Sequence, residues 1–81
     1  MDDLRRRLTG CFLTVFPELT EPEVPLAAIT SVGNWDSLGT ITLVTVIQEE
    51  FAIQVPLEEL TRFVSFELIL DYLAEQLAHV S

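Results

Sequence analysis

A chain of 81 residues, 49% of them hydrophobic, is long enough for one small helical core over residues 1–81, too apolar to stay disordered, and too short for a large cleft between domains. Four arginines and no lysine stand against thirteen acids, and the resulting formal charge of −9 repels nucleic-acid backbones and anionic membrane surfaces while attracting basic protein surfaces. A single cysteine excludes an internal disulfide and a cysteine zinc cluster; with no secretory leader and no apolar run of membrane-spanning length, the expected location is the cytoplasm.

From Asp2 to about Phe16, the residues Leu4, Leu8, Cys11, Phe12 and Val15 recur at helical spacing, which predicts an amphipathic first helix with Cys11 as a packed core thiol. Asp2 and Asp3 suit its positive pole, and the run Arg5-Arg6-Arg7 reads as a solvated face. Pro17 closes the segment. Residues 18–35 contain Pro22, Pro25 and Gly33 and no clean period, so they read as a long loop pinned to the core by Val24, Leu26, Ile29 and Val32. Loops of this length in small domains usually have a task, which draws attention to the end of this one, "NWDSLG".

A second helix is predicted from Ser37 to about Phe51, with Asp36 or Ser37 as its cap. At 100° per residue, Leu43, Val44, Ile47 and Phe51 share a core stripe, while Thr42, Thr45 and Glu49 fall opposite, with Leu38 exposed among them beside Ser37. Trp35 is expected to pack the loop onto the helix. Pro56 fits the first position of a short third helix that buries Leu57, Leu60 and Phe63 and carries Glu58 and Glu59 in its first turn. Ser65 caps a last helix in which Phe66, Ile69, Leu70, Leu73, Leu77 and Val80 share one face and Glu67, Asp71 and Glu75 line a solvated one. The expected fold is all-α: a small four-helix bundle of three longer helices and one short one, with a long loop between the first and the second.

The chemistry available to Ser37 is narrow. "WDSLG" approaches the G-x-S-x-G nucleophile elbow, but Trp35 stands where the first glycine belongs and a proline-containing loop precedes it instead of a strand. A triad needs a histidine, and the single one, His79, falls near the end of the last helix. A lysine-dependent phosphate loop is impossible without lysine, and no spacing suggests a metal site. The chain therefore carries no catalyst of its own. Capping a helix would be sufficient employment for Ser37, yet an exposed hydroxyl at a helix N-terminus also receives a phosphodiester well, by about 0.3–1 kcal/mol.

Asp36-Ser37-Leu38, followed by "GTITLVTVIQEEFAIQVPLEEL" with Glu49-Glu50-Phe51, Ile53, Val55-Pro56 and Glu58-Glu59 in order, and then Asp71-Tyr72-Leu73, resembles the acyl carrier protein family, including the peptidyl and aminoacyl carriers, over essentially the whole chain. The resemblance implies a non-catalytic carrier: a phosphopantetheinyl transferase would move 4'-phosphopantetheine from coenzyme A onto Ser37. Acyl, aminoacyl or polyketide groups would then ride as thioesters on the arm, presented by a monomeric protein to loading ligases, synthases and transferases. It further implies partner contacts at Asp36, Leu38, Ile41, Glu49 and Glu50. Gly39, Thr42 and Gln48 stand where the housekeeping fatty-acid carriers often have acids, which points to a specialised pathway. Short termini favour a free-standing protein beginning at Met1. Left unmodified, the same chain would be a carrier-like adaptor that binds partners through its second helix and acidic surface.

Overall fold

Three α-helices, α1 (Asp2–Val15), α2 (Ser37–Phe51) and α3 (Phe66–Val80), alternate with two 3-10 helices at Glu21–Leu26 and Leu57–Arg62. The computed structural model describes residues 2–33 and 35–80, with backbone only for Asp2 and residues 78–80. The side-chain placements expected for Asp2, His79 and Val80 lie outside the described residues, as does Met1.

The core is built from the predicted stripes. Leu8, Cys11, Phe12 and Phe16 meet Leu43, Val44, Ile47 and Phe51 of α2 and Phe66, Ile69, Leu70 and Leu73 of α3, all buried. Leu4, Val15 and Leu77 are half-buried at its margin. Ser65 caps α3, its hydroxyl accepting from the Leu68 N–H at 3.2 Å. At the other end of α2, Ala52 turns into the left-handed region at φ 54° and donates its N–H to the Gln48 carbonyl, which stops the helix.

The long loop is more ordered than its composition suggests. Its 3-10 turn is held by Glu23, whose carboxylate accepts from the Thr20 N–H at 2.9 Å and hydroxyl at 3.0 Å; these bonds hold the Glu23 carboxyl below the usual range. With three residues per turn, Val24 and Ala27 stack on the inner side, so the expected anchor Leu26 points away and is 81% exposed. Ile29, another expected anchor, lies at the surface. Further on, the loop pairs with the start of α3: Ile29 donates to the Val64 carbonyl at 2.8 Å and Phe66 to the Ala27 carbonyl at 3.0 Å. That isolated bridge, Ala28 against Ser65, is the one β-type pairing among the described residues.

Two other expectations need correction. The short third helix is a 3-10 helix capped by Pro56 rather than begun by it, and it reaches the core with Phe63 and half of Leu60, leaving Leu57 overhanging in solvent. Arg7, 38% exposed, does more than line a solvated face. Its Nε donates to the Glu50 carboxylate at 2.8 Å, its Nη2 donates to the Glu50 carbonyl at 2.6 Å, and its guanidinium lies 4.5 Å over the Phe51 ring. This tie joins α1 to the last turn of α2, where a cation also suits the negative helix pole.

Cys11 is the packed thiol expected from its neighbours. Burial, with the Glu50 charge adding, pushes it up from 9.0 to about 11. Because the folded thiol keeps its proton to higher pH than the unfolded one, its contribution to stability is full below pH 9 and fades between pH 9 and 11. Alkylation by iodoacetamide at pH 8 is therefore expected to proceed at least about tenfold slower in the native protein than in urea, read by mass spectrometry.

Candidate functional site

Residues 35–40 form a short anchored passage into α2. Trp35 is buried and donates its indole N–H to the Thr40 Oγ1 at 3.0 Å, one turn into the helix, which also explains why Thr40 is buried. Phe12 meets the indole edge-on at 5.3 Å and Phe16 lies 5.6 Å away, so the residue before the cap is fastened from three sides. Trp35 thus packs the loop, as expected.

Between Trp35 and the helix, Asp36 is extended at φ −105°, ψ −165°. Its Oδ1 accepts from the Gly39 N–H at 2.9 Å and its carbonyl accepts from the Thr40 N–H at 2.8 Å. Of the two candidate caps, Asp36 does the capping, and Ser37 is released from that duty. Asp36→Ala is expected to destabilise the fold by about 0.5–2 kcal/mol, seen as a drop in Tm of several degrees.

Ser37 is the first residue of α2, is exposed, and makes no side-chain hydrogen bond among the described residues. It borders a surface groove of about 260 Å³ lined by Ile29, Thr40, Ile41, Leu60 and Thr61, none of them ionisable. The hydroxyl stands at the positive pole of a helix of 15 residues. A phosphodiester on Oγ would meet that pole, and an arm extending from it has an apolar and hydroxyl-lined wall beside it; the residues present fit such a group.

The other sequence-predicted site residues divide. Leu38 is 74% exposed and Ile41 53%, both on the outer side of α2, with Thr42, Thr45 and Glu49 alongside. Glu50 is drawn aside into its pair with Arg7. The arrangement offers one accessible oxygen nucleophile without a base on it, and among the described residues no group of three His, Cys, Asp or Glu side chains is placed to hold a metal ion. The features that sequence reasoning missed are Thr40, which signals itself only through a partner five residues earlier, and Arg7, which lies 43 residues from Glu50.

A curated protein, the acyl carrier protein of Thermosynechococcus vestitus (strain NIES-2133 / IAM M-273 / BP-1), is 32% identical to this chain over 66 residues, covering 82% of this chain and 78% of that protein. No family model matches the chain. No solved structure matches it either.

Proposed function

Because the chain belongs to the acyl carrier protein family, whose members are carriers and not catalysts, we propose that Ser37 is the residue on which it receives 4'-phosphopantetheine. The observation that carries this reading is the division of labour at the start of α2: Asp36 caps, Trp35 anchors, and the Ser37 hydroxyl is left exposed with no hydrogen bond among the described residues. In the loading step the Ser37 oxygen would attack the pantetheine-bearing phosphorus of coenzyme A, the pyrophosphate P–O bond would break with adenosine 3',5'-bisphosphate as leaving group, and the base that takes the serine proton would come from the phosphopantetheinyl transferase. Once attached, the arm ends in a thiol that forms thioesters with acyl, aminoacyl or polyketide groups. The chain's own part is to hold the attachment point at a rigid helix start.

Asp36, Leu38, Ile41, Glu49 and Glu50 are the surface by which the transferase and the loading and processing enzymes find the carrier in this proposal. The excess of acids attracts basic partner surfaces over a screening length of about 8 Å at physiological ionic strength. Tethering makes each delivery a local event at raised effective concentration, so weak, quickly reversed contacts are sufficient. The absence of acids at Gly39, Thr42 and Gln48 favours a specialised pathway; in this reading the carrier works as a monomer in the cytoplasm.

Incubation of the unmodified protein with coenzyme A and a broad-specificity phosphopantetheinyl transferase tests the proposal. A mass increase of one phosphopantetheine, mapped to the peptide containing Ser37, is the expected result. A chain that stays unmodified with several transferases would instead be an adaptor that binds partners without an arm.

A further inference from the structure

Resting on the reading of Ser37 as the loading site, we infer that Trp35, locked by Thr40, shuts the interior of the bundle against whatever Ser37 carries, so that an acyl cargo stays outside the core and the carrier suits short or polar acyl groups.

The groove that Ser37 borders has Thr40 in its wall, and the way inward from that wall is occupied. Thr40 is buried and its Oγ1 accepts the Trp35 indole N–H at 3.0 Å, so the indole stands behind it. Against the indole lie Phe12 at 5.3 Å and Phe16 at 5.6 Å, and Phe66 meets Phe12 in turn at 5.2 Å. Four buried aromatic rings therefore fill the layer beneath the attachment point.

This lock is particular to one threonine. Thr42 and Thr45, on the same helix, donate their hydroxyls to the Leu38 and Ile41 carbonyls, each at 2.9 Å, and leave their side of α2 presenting carbon without tying it to the core. Thr40 instead holds a ring that comes from the loop. Trp35 is fixed a second time by its backbone N–H, which donates to the Val32 carbonyl at 3.1 Å. An alkyl chain entering here would have to push out a fully packed indole and strip Thr40 of its donor. Outside, the groove offers about 260 Å³, edged by Ile41 and Leu60. A few carbons can shelter there, and every further methylene of a long alkyl chain would remain in water. Short or polar groups avoid that cost.

Acyl coenzymes A from acetyl to decanoyl, used with a broad-specificity transferase and taken to completion by intact mass, place a graded series on the same serine. In the wild type, Tm is expected to stay within about 2 °C across the series while retention on a hydrophobic-interaction column rises with chain length. Trp35→Leu and the milder Trp35→Phe, each compared with its own acetyl form, are expected to reverse both trends: Tm climbs by about 3–6 °C for each methylene taken inside, and retention levels off. A wild-type Tm that climbs with chain length overturns the inference, because the cargo then enters past the indole. Variants that are folded by circular dichroism yet behave as the wild type overturn it too, since the indole is then not the barrier. Trp35→Phe, which keeps much of the ring contact, decides the matter should Trp35→Leu be unfolded in its acetyl form. A wild-type chain that gains no mass from any acyl coenzyme A overturns the reading of Ser37 itself, an outcome distinct from the others.

Discussion

Ser37→Ala is expected to abolish uptake of phosphopantetheine completely while leaving the protein folded and as stable as before. The loss is all or none because no other described hydroxyl shares its setting. Thr40, one turn on, is buried with its oxygen engaged by Trp35, and Thr42 and Thr45 are turned back onto their own helix. Stability is spared because the cap is Asp36 and the Ser37 side chain bonds to nothing described in the fold. Alanine is also the better helix former, so the change should lie within about 0.5 kcal/mol of zero. Intact-mass spectrometry after incubation with coenzyme A and transferase, run beside a thermal melt, separates the two effects. A variant that fails to load because it has unfolded would show it in the melt.

Trp35→Ala is expected to have the largest effect on the fold, about 3–5 kcal/mol of destabilisation. A chain of this length has roughly 4–12 kcal/mol in total at about 0.05–0.15 kcal/mol per residue, so the variant would be partly unfolded at room temperature. Two losses combine. The indole is 2% exposed and packs against Phe12 and Phe16, so truncation opens a cavity at the centre of the aromatic cluster. It also strands the buried Thr40 hydroxyl, which has the Trp35 N–H as its donor. Trp35→Phe separates them: it keeps much of the ring contact and gives up the hydrogen bond, at an expected cost of about 1–3 kcal/mol. Urea denaturation followed by circular dichroism gives both numbers. Since Trp35 stands two residues before Ser37, the alanine variant should also load slowly through a loosened helix start.

The three α-helices were readable because their stability comes from periodic burial, and periodicity is written locally. Leu43, Val44, Ile47 and Phe51 are buried as their spacing requires, and Asp36 and Ser65 cap as their positions suggest. The helical fold class followed from these segments. The misreadings fall where the period changes or the partner is distant. In the 3-10 turn of the loop, Val24 and Ala27 take the inner side, and Leu26, apolar by type, has no place there. Leu57 overhangs because the short helix meets the core only at its far end. The Arg7 tie depends on a fold that brings residue 50 to residue 7, which no local pattern announces. At the candidate site, the exposed Ser37 and Leu38 were legible from helical angles. The back-bonded hydroxyls of Thr42 and Thr45, which make their side of α2 apolar, were not, since a threonine in sequence does not say where its oxygen points.

The carbon-lined side of α2 creates a hazard that the rest of the chain offsets. Two copies meeting through Leu38 and Ile41 would hide those side chains from water just as a partner does, and identical molecules at high concentration meet often. Every such pairing, however, brings together two bodies of formal charge −9, whose mutual repulsion works against it. A partner of opposite sign escapes that penalty. The surplus of carboxylates thereby disfavours this surface's contact with its own kind and leaves it open to molecules of opposite sign.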